Sequence, residues 1–374
     1  MKRLLLSFAF LLCVHLLLAQ VKVNFVINSL PSNTPDPKAI YLAGGFNDWS
    51  PGKPAWQFTA NALQQSLAPG NYEYKLVRGS WDKVECGANG GPFGNRSLHV
   101  VHDTTIYLAI ADWQDLHPAI QRTHTASANV HIISEKFDMP QLGKQRRVWI
   151  YLPKGYETSK KKYPVIYMHD GQNLFDGYTS GFGEWGVDEF LDSLKAGQQQ
   201  FIVVGVDHGG EARTVEYSPY ESKYGKPLGA QYVDFLVETL KPYIDSHYQT
   251  LTDAKHTTVA GSSMGGLISM YAELKYPKVF GSAGVFSPAF WVNPPIYDLA
   301  KTDTQKAGRF YFVCGDQEGD MEVGDMYKMA NIVNYKMVPY TEVEAIVIKG
   351  AKHNEAQWRG AFPAFYQWLV AGIK

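Results

Sequence analysis

"TTVAGSSMGGLISMYAELKYP" (257–277) decides how the larger part of the chain is read. A short apolar run meets two serines set among glycines, and a stretch with helical periodicity follows. Gly261-Ser262-Ser263-Met264-Gly265 fits G-x-S-x-G in the context of strand, sharp turn and helix, which puts a hydroxyl on a tight bend. The glycines have a physical job. The bend needs unusual backbone angles, and side chains two residues to either side would collide with the flanking strand and helix. Only Ser263 has glycine at both of those positions; for Ser262 they are Ala260 and Met264, and the pattern fails. A plain Gly/Ser connector is the bland alternative, because G-x-S-x-G alone arises often by chance. The flanks favour Ser263 as a nucleophile.

A serine hydroxyl is a weak nucleophile until a base takes its proton. In α/β-hydrolases the chain order is Ser, acid, His. Of the eleven histidines only His353 follows Ser263, in "IKGAKHNEAQWRG" (348–360), just past the apolar run "VEAIVI". The acid is expected after the preceding strand, where "RFYFVCGDQEGDMEVGD" (309–325) offers Asp316, Glu318, Asp320 and Glu322, and spacing alone does not choose. An oxyanion hole needs two backbone N–H donors. Met264 supplies one as the residue after the nucleophile. The loop "MHDGQNLFD" (168–176) is placed to supply the other at Gly171 or Gln172, the glycine allowing close backbone approach. His169 and Asp170 are adjacent and cannot make a metal site alone; they read as loop scaffolding, and no metal is expected.

Outward from this stretch, continuous apolar runs recur: "PVIYMH" (164–169), "FIVVGV" (201–206), "FGSAGVF" (280–286), "RFYFVC" (309–314) and "VEAIVI" (343–348). Such strands are buried on both faces, as in a parallel sheet covered by helices. "RRVWIYL" (146–152) alternates like an edge or hairpin strand. Val233, Leu236, Val237, Leu240 and Ile244 share one helix face. Residues 131–374 therefore read as an α/β domain, whose sites gather at the carboxyl ends of the strands. Residues 20–115 read as a smaller all-β sandwich. Val21, Val23, Phe25 and Ile27 alternate, as do Tyr72, Tyr74 and Leu76, and turn-rich spacers separate the runs. Residues 116–130 lack periodicity and read as a linker.

At 374 residues and 45% hydrophobic content the chain can bury a large core, and a formal net charge of −1 gives no reason to expect nucleic acid as a partner. Residues 1–19 are basic, then apolar, then small, the layout of a signal peptide. The mature protein is expected to be secreted or periplasmic, without stable membrane insertion. Cys86 and Cys314 fall in different domains, so each is expected to be a small buried residue rather than half of a disulfide.

"YLPKGYE", "YPVIYMHDGQNLFD", "EWGVDEFLDSL", "IVVGVDHGGEARTVEYSPY", "AGSSMGGLISMY", "GVFSPAFW" and "GAKHNEAQW" together resemble the "putative esterase" family, related to carbohydrate esterase family 1, enterochelin esterases and the antigen 85 mycolyltransferases. The resemblance spans about 146–370. It implies an α/β-hydrolase fold without a cofactor, with Ser263 as nucleophile and His353 as base. Relatives place the acid three positions after a strand-end glycine, here Gly315, which selects Glu318 with Asp316 as fallback; many relatives carry Asp there. Trp185, Ser287 and Trp291 fall in segments that often line the substrate pocket. "IYLAGGFNDWSPG", "GNYEYKLVRGSWDKVE" and "NR" (95–96) resemble a glycogen- or starch-binding β-sandwich of immunoglobulin-like type, which makes Trp49, Trp56 and Trp81 the sugar-stacking candidates.

The leading expectation is a secreted serine esterase acting on acetyl or feruloyl esters of polysaccharide. A siderophore ester is the alternative substrate, and acyl transfer to a sugar hydroxyl the alternative reaction. A carbohydrate-binding protein with an inert hydrolase domain is the third reading, and the intact Ser263, His353 and acidic loop argue against it.

Overall fold

The computed structural model describes residues 20–91, 93–117, 123–181, 183–302, 308–319, 321–336 and 341–373. The expected signal peptide, residues 118–122 of the expected linker and Asp320 lie outside the described residues. The chain forms two compact units, Met1–Gln121 and Arg122–Lys374.

In the first unit the alternation at its start makes strand β1 (Val21–Ser29), with Val21, Val23, Phe25 and Ile27 buried. It pairs antiparallel with β3 (Ala62–Leu67) and parallel with β7 (Thr104–Ala109). A second sheet sets β4 (Gly70–Val77) between β2 (Tyr41–Gly44) and β6 (Arg96–Val100), and β5 (Glu85–Cys86) pairs with β8 (Asp112–Trp113). Inward residues from both larger sheets, among them Phe25, Leu42, Tyr74, Leu76, Val100 and Leu108, share one apolar cluster with Trp113. Trp56 belongs to that cluster. It is 8% exposed and its ring lies parallel to Phe46 at 4.3 Å, so its face is taken by core packing and it is no sugar platform. Trp81 is exposed and Trp49 half-buried, their ring centres 6.2 Å apart.

The second unit is built on an eight-stranded sheet: β9 (Val130–Met139), β10 (Lys144–Tyr151), β11 (Val165–His169), β12 (Ile202–Val206), β13 (Thr257–Ser262), β14 (Ser282–Phe286), β15 (Gly308–Gly315) and β16 (Thr341–Ile348). Their order is β16-β15-β14-β13-β11-β12-β10-β9. The run from β12 through β11 to β16 is parallel, and β10 and β9 attach antiparallel at one end. Strands β11 to β14 are buried along their whole length, as expected of unbroken apolar runs between helical layers. Strand β9 begins at Val130, the last residue of the expected linker. As an edge strand it buries little, so its sequence carries almost no apolar alternation.

The expected helix through Val233 and Ile244 is interrupted. Helix Gly229–Phe235 passes through a π turn, Leu236–Leu240, into helix Lys241–His247. Pro242 at the start of the last segment has no N–H for the carbonyl four residues back, and the wider turn accommodates that loss. Val233, Leu236, Leu240 and Ile244 still face the core. Cys86 and Cys314 are buried free thiols. No described helix is long and apolar enough to cross a membrane.

Candidate active site

Strand β13 ends at Ser262, and helix Met264–Lys275 begins at once. Ser263 between them has φ 58° and ψ −120°, a conformation that costs a non-glycine residue about 1–3 kcal/mol. Its surroundings hold it there. The Ser263 N–H donates to Phe286 O (2.9 Å), and its carbonyl accepts from Leu267 (3.0 Å) and Ala289 (3.1 Å). A Cβ on Gly261 would stand 2.8 Å from His169 Cδ2 and 3.1 Å from Gly265 Cα, so this bend closes only with glycine there. Ser262 is buried, whereas Ser263 keeps partial exposure.

His353 follows β16, and its Nδ1 lies 2.8 Å from Glu318 Oε2. The Glu318 side chain is fully buried, a costly place for a carboxylate unless donors surround it. Its other oxygen accepts from Ser287 Oγ (2.8 Å) and from the Gly315 N–H. Asp316, the fallback acid, is exposed and accepts the Gly350 N–H at 2.6 Å, closing the turn after β16 instead of meeting His353. Glu322 sits close enough to feel both groups. Burial raises its pKa to about 8, with His353 opposing and Glu318 and Asp325 adding to the rise.

Two of the three expected pocket residues have almost no accessible surface. Ser287 is fully buried, with φ 41°. Its hydroxyl donates to Glu318 and accepts from Trp358 Nε1 (2.9 Å), so it stands behind the acid. Trp185 is 3% exposed and packs edge-on against Phe286 at 4.9 Å, a core contact. Trp291 is half exposed, just beyond β14. The Trp358 ring also packs edge-on against His353, at 5.2 Å.

The candidate oxyanion donors come from two turns. Met264 is the first residue of its helix, where an N–H has no acceptor within the helix and the dipole favours negative charge. On the other side Asp170 takes left-handed angles at the end of β11, and Gly171–Asn173 forms a short 3-10 turn. A Cβ on Gly171 would stand 2.8 Å from the Gly205 carbonyl carbon, so the turn lies flush on β12.

Arg213 joins these turns. Its Nε and Nη2 donate to the two oxygens of Asp170, each at 2.7 Å, and Nη2 also reaches Ser262 O at 3.3 Å. Burial alone would raise the Asp170 pKa, but Arg213 outweighs it and holds the carboxyl below its ordinary value. Arg213 opens the short helix Arg213–Glu216, and no periodicity or motif spacing in the sequence gives it a role. His169 is buried beneath the turn, hydrogen-bonded to Tyr232 OH (2.8 Å), and burial lowers its pKa to about 4, so it is neutral. Among the described residues no group of three or more His, Cys, Asp or Glu side chains is gathered as a metal site.

A nucleophile candidate on a strained turn, an imidazole held by a buried carboxylate and two convergent amide-bearing turns can together support acyl transfer. Known proteins agree in family. The chain is 26% identical over 233 residues to an endo-1,4-beta-xylanase/feruloyl esterase of Xylanibacter ruminicola, covering 61% of this chain and 30% of that protein. It is 26% identical over 252 residues to an iron(III) enterobactin esterase of Dickeya dadantii, covering 62% and 53%. The solved enterobactin esterase FES of Shigella flexneri superposes with a TM-score of 0.53 over 89% of this chain and 88% of that one; at 16% identity the likeness is one of fold. The family described as "Putative esterase" matches residues 140–369, well over half of the chain, and the chain belongs to it.

Proposed function

We propose that the protein is a serine esterase that cleaves carboxylic esters through an acyl-enzyme. The observation that carries this reading is the contact between His353 Nδ1 and Glu318 Oε2, with the opposite carboxylate oxygen fixed by Ser287 and Gly315. That contact holds the imidazole so that Nε2 accepts a proton. Ser263 Oγ attacks the ester carbonyl as its proton passes to His353. The tetrahedral oxyanion is met by the amides of Met264 and of Gly171 or Gln172. Its collapse breaks the C–O bond, and the proton on His353 goes to the leaving alcohol. Water, deprotonated by the same imidazole, then releases the acid and frees Ser263. Glu318 orients the imidazole and stabilises the imidazolium.

For the substrate we favour acetyl or feruloyl esters on polysaccharide, in line with the xylanase/feruloyl esterase relative. The enterobactin esterase relative keeps a siderophore ester as the second reading. In the first unit, Trp49 and Trp81 remain as the glycan-stacking pair, and the leader-like residues 1–19 support export of the mature chain.

Ser263→Ala is expected to lower kcat on p-nitrophenyl acetate by roughly 10³-fold or more. Glu318→Ala should lose activity on a comparable scale while Asp316→Ala stays near wild type. Unchanged turnover in Ser263→Ala would overturn the reading. A panel of feruloylated and acetylated oligosaccharides against enterobactin separates the two substrate classes.

A further inference from the structure

The segment "THTASAN" (123–129), polar and without periodicity, is bound along its length to the rest of the second unit. Thr125 N–H donates to Asp176 Oδ1 (3.1 Å), and His124 Nδ1 lies 2.7 Å from Asp176 Oδ2. Thr125 Oγ1 accepts from Gly177 N–H (2.7 Å) and donates to Glu184 Oε2 (2.8 Å). Ser127 N–H donates to Asp188 Oδ2 (2.7 Å), and Asn129 Nδ2 to Asp192 Oδ1 (2.7 Å). The His124 ring stacks on Tyr178 at 4.1 Å.

The segment is irregular up to Ser127, where the Val130 N–H closes a turn on the Ser127 carbonyl (3.1 Å) that carries Asn129. Its carboxylate partners are Glu184, ahead of helix Val187–Asp192, and Asp188 and Asp192 within that helix.

Contacts continue from Asp176 towards the site. Asp176 is 3% exposed, and besides the strap its carboxylate accepts the Tyr178 N–H (2.9 Å). Its carbonyl accepts the amides of Thr179 and Ser180, both at 3.1 Å. Thr179 Oγ1 then donates to the carbonyl of Gln172 (2.7 Å), one of the candidate oxyanion residues. We propose that residues 123–129 are a strap belonging to the ester-cleaving machinery, and that Asp176 is a positioning residue through which the strap sets the 171–173 turn. The proposal rests on the esterase reading above. Asp176 touches no reacting atom; it acts on transition-state stabilisation by holding the turn that carries the donor.

The test compares full-length wild type, Asp176→Ala, Asp176→Asn and the double variant His124→Ala/Thr125→Ala. Turnover of p-nitrophenyl acetate and amide hydrogen exchange at residues 171–180 are measured in each. Asp176→Ala is expected to lower kcat by about 10- to 100-fold with little change in KM, and to speed exchange across 171–180. Asp176→Asn, which keeps an acceptor for Thr125 and Tyr178, should recover most of the loss. The double variant changes only exposed side chains and should move kcat and exchange in the same direction by less. Wild-type kcat and wild-type exchange in the double variant and in Asp176→Ala overturn the proposal; if Asp176→Ala fails to fold, the double variant decides alone. If the wild type cleaves no ester, or Ser263→Ala is as active as wild type, the esterase reading has failed. The exchange comparison then decides whether the strap orders the turn.

Discussion

Glu318 and Glu322 lie four residues apart, and their surroundings push them towards different work. Glu318 has three donors around its buried carboxylate. Glu322 is buried with one oxygen lacking any hydrogen-bond partner, and burial lifts its pKa from 4.5 to about 8. Between those values the unfolded chain has released a proton that the native state retains, so the native state loses stability as pH rises across this window. The slope for one proton is at most about 1.4 kcal/mol per pH unit. Glu322→Gln cannot ionise. Its melting temperature relative to wild type should therefore climb between pH 5 and pH 8.5, and a gap that stays constant would count against a buried, protonated Glu322. Spacing alone does not separate them in "GDQEGDMEVGD", where five carboxylates look alike. What separates them is the company each keeps: Ser287 and His353 for Glu318, the Gly350 amide for Asp316. The sharp turn at Ser263 was legible because its requirement is local, glycine two residues to either side. Ser287 was misread as a pocket residue because its left-handed bend and its contact with Glu318 depend on β15, a separate stretch of chain.

At the scale of elements, the apolar runs gave away the parallel strands because burial on both faces leaves a continuous signature. Edge strand β9 left none, and the π turn before Pro242 cannot be told from an uninterrupted helix by spacing that preserves the same buried face. The two turns flanking the site depend on close backbone approach, so they can be tested with a single methyl group. Gly171→Ala would drive its Cβ to 2.8 Å from the Gly205 carbonyl carbon and 2.9 Å from the Val206 nitrogen, backbone atoms that cannot swing away. The turn must lift from β12, carrying the Gly171 and Gln172 amides with it. The expected result is a loss of kcat of about 100-fold, with overpacking costing about 1–3 kcal/mol of stability. Kinetics on p-nitrophenyl acetate and a thermal melt check both parts. A variant that melts lower yet keeps its kcat would show that this turn carries no donor.

At the scale of the molecule, among the described residues each unit has an apolar core of its own, one cluster in Met1–Gln121 and two in Arg122–Lys374. That the chain divides into two units was readable from the change in periodicity. The position of the functional boundary was not, since the strap is short, polar and aperiodic, and its partners Asp176, Glu184, Asp188 and Asp192 follow it by 51 to 63 residues. Two truncations separate a linker from a strap. A chain beginning at residue 122 keeps both apolar clusters of its unit and all the carboxylate contacts of 123–129. It is expected to unfold cooperatively and to cleave p-nitrophenyl acetate within about threefold of the full chain. A chain beginning at Val130 keeps the same core but strands Asp176 and Asp188, two buried carboxylates that lose their strap donors. Leaving such groups without those donors costs about 1–3 kcal/mol each. The shorter chain should melt lower and lose at least 10-fold in kcat, because the 176–180 turn is released together with the strap. Equal activity and equal stability in the two truncations would return residues 123–129 to the role of a passive connector.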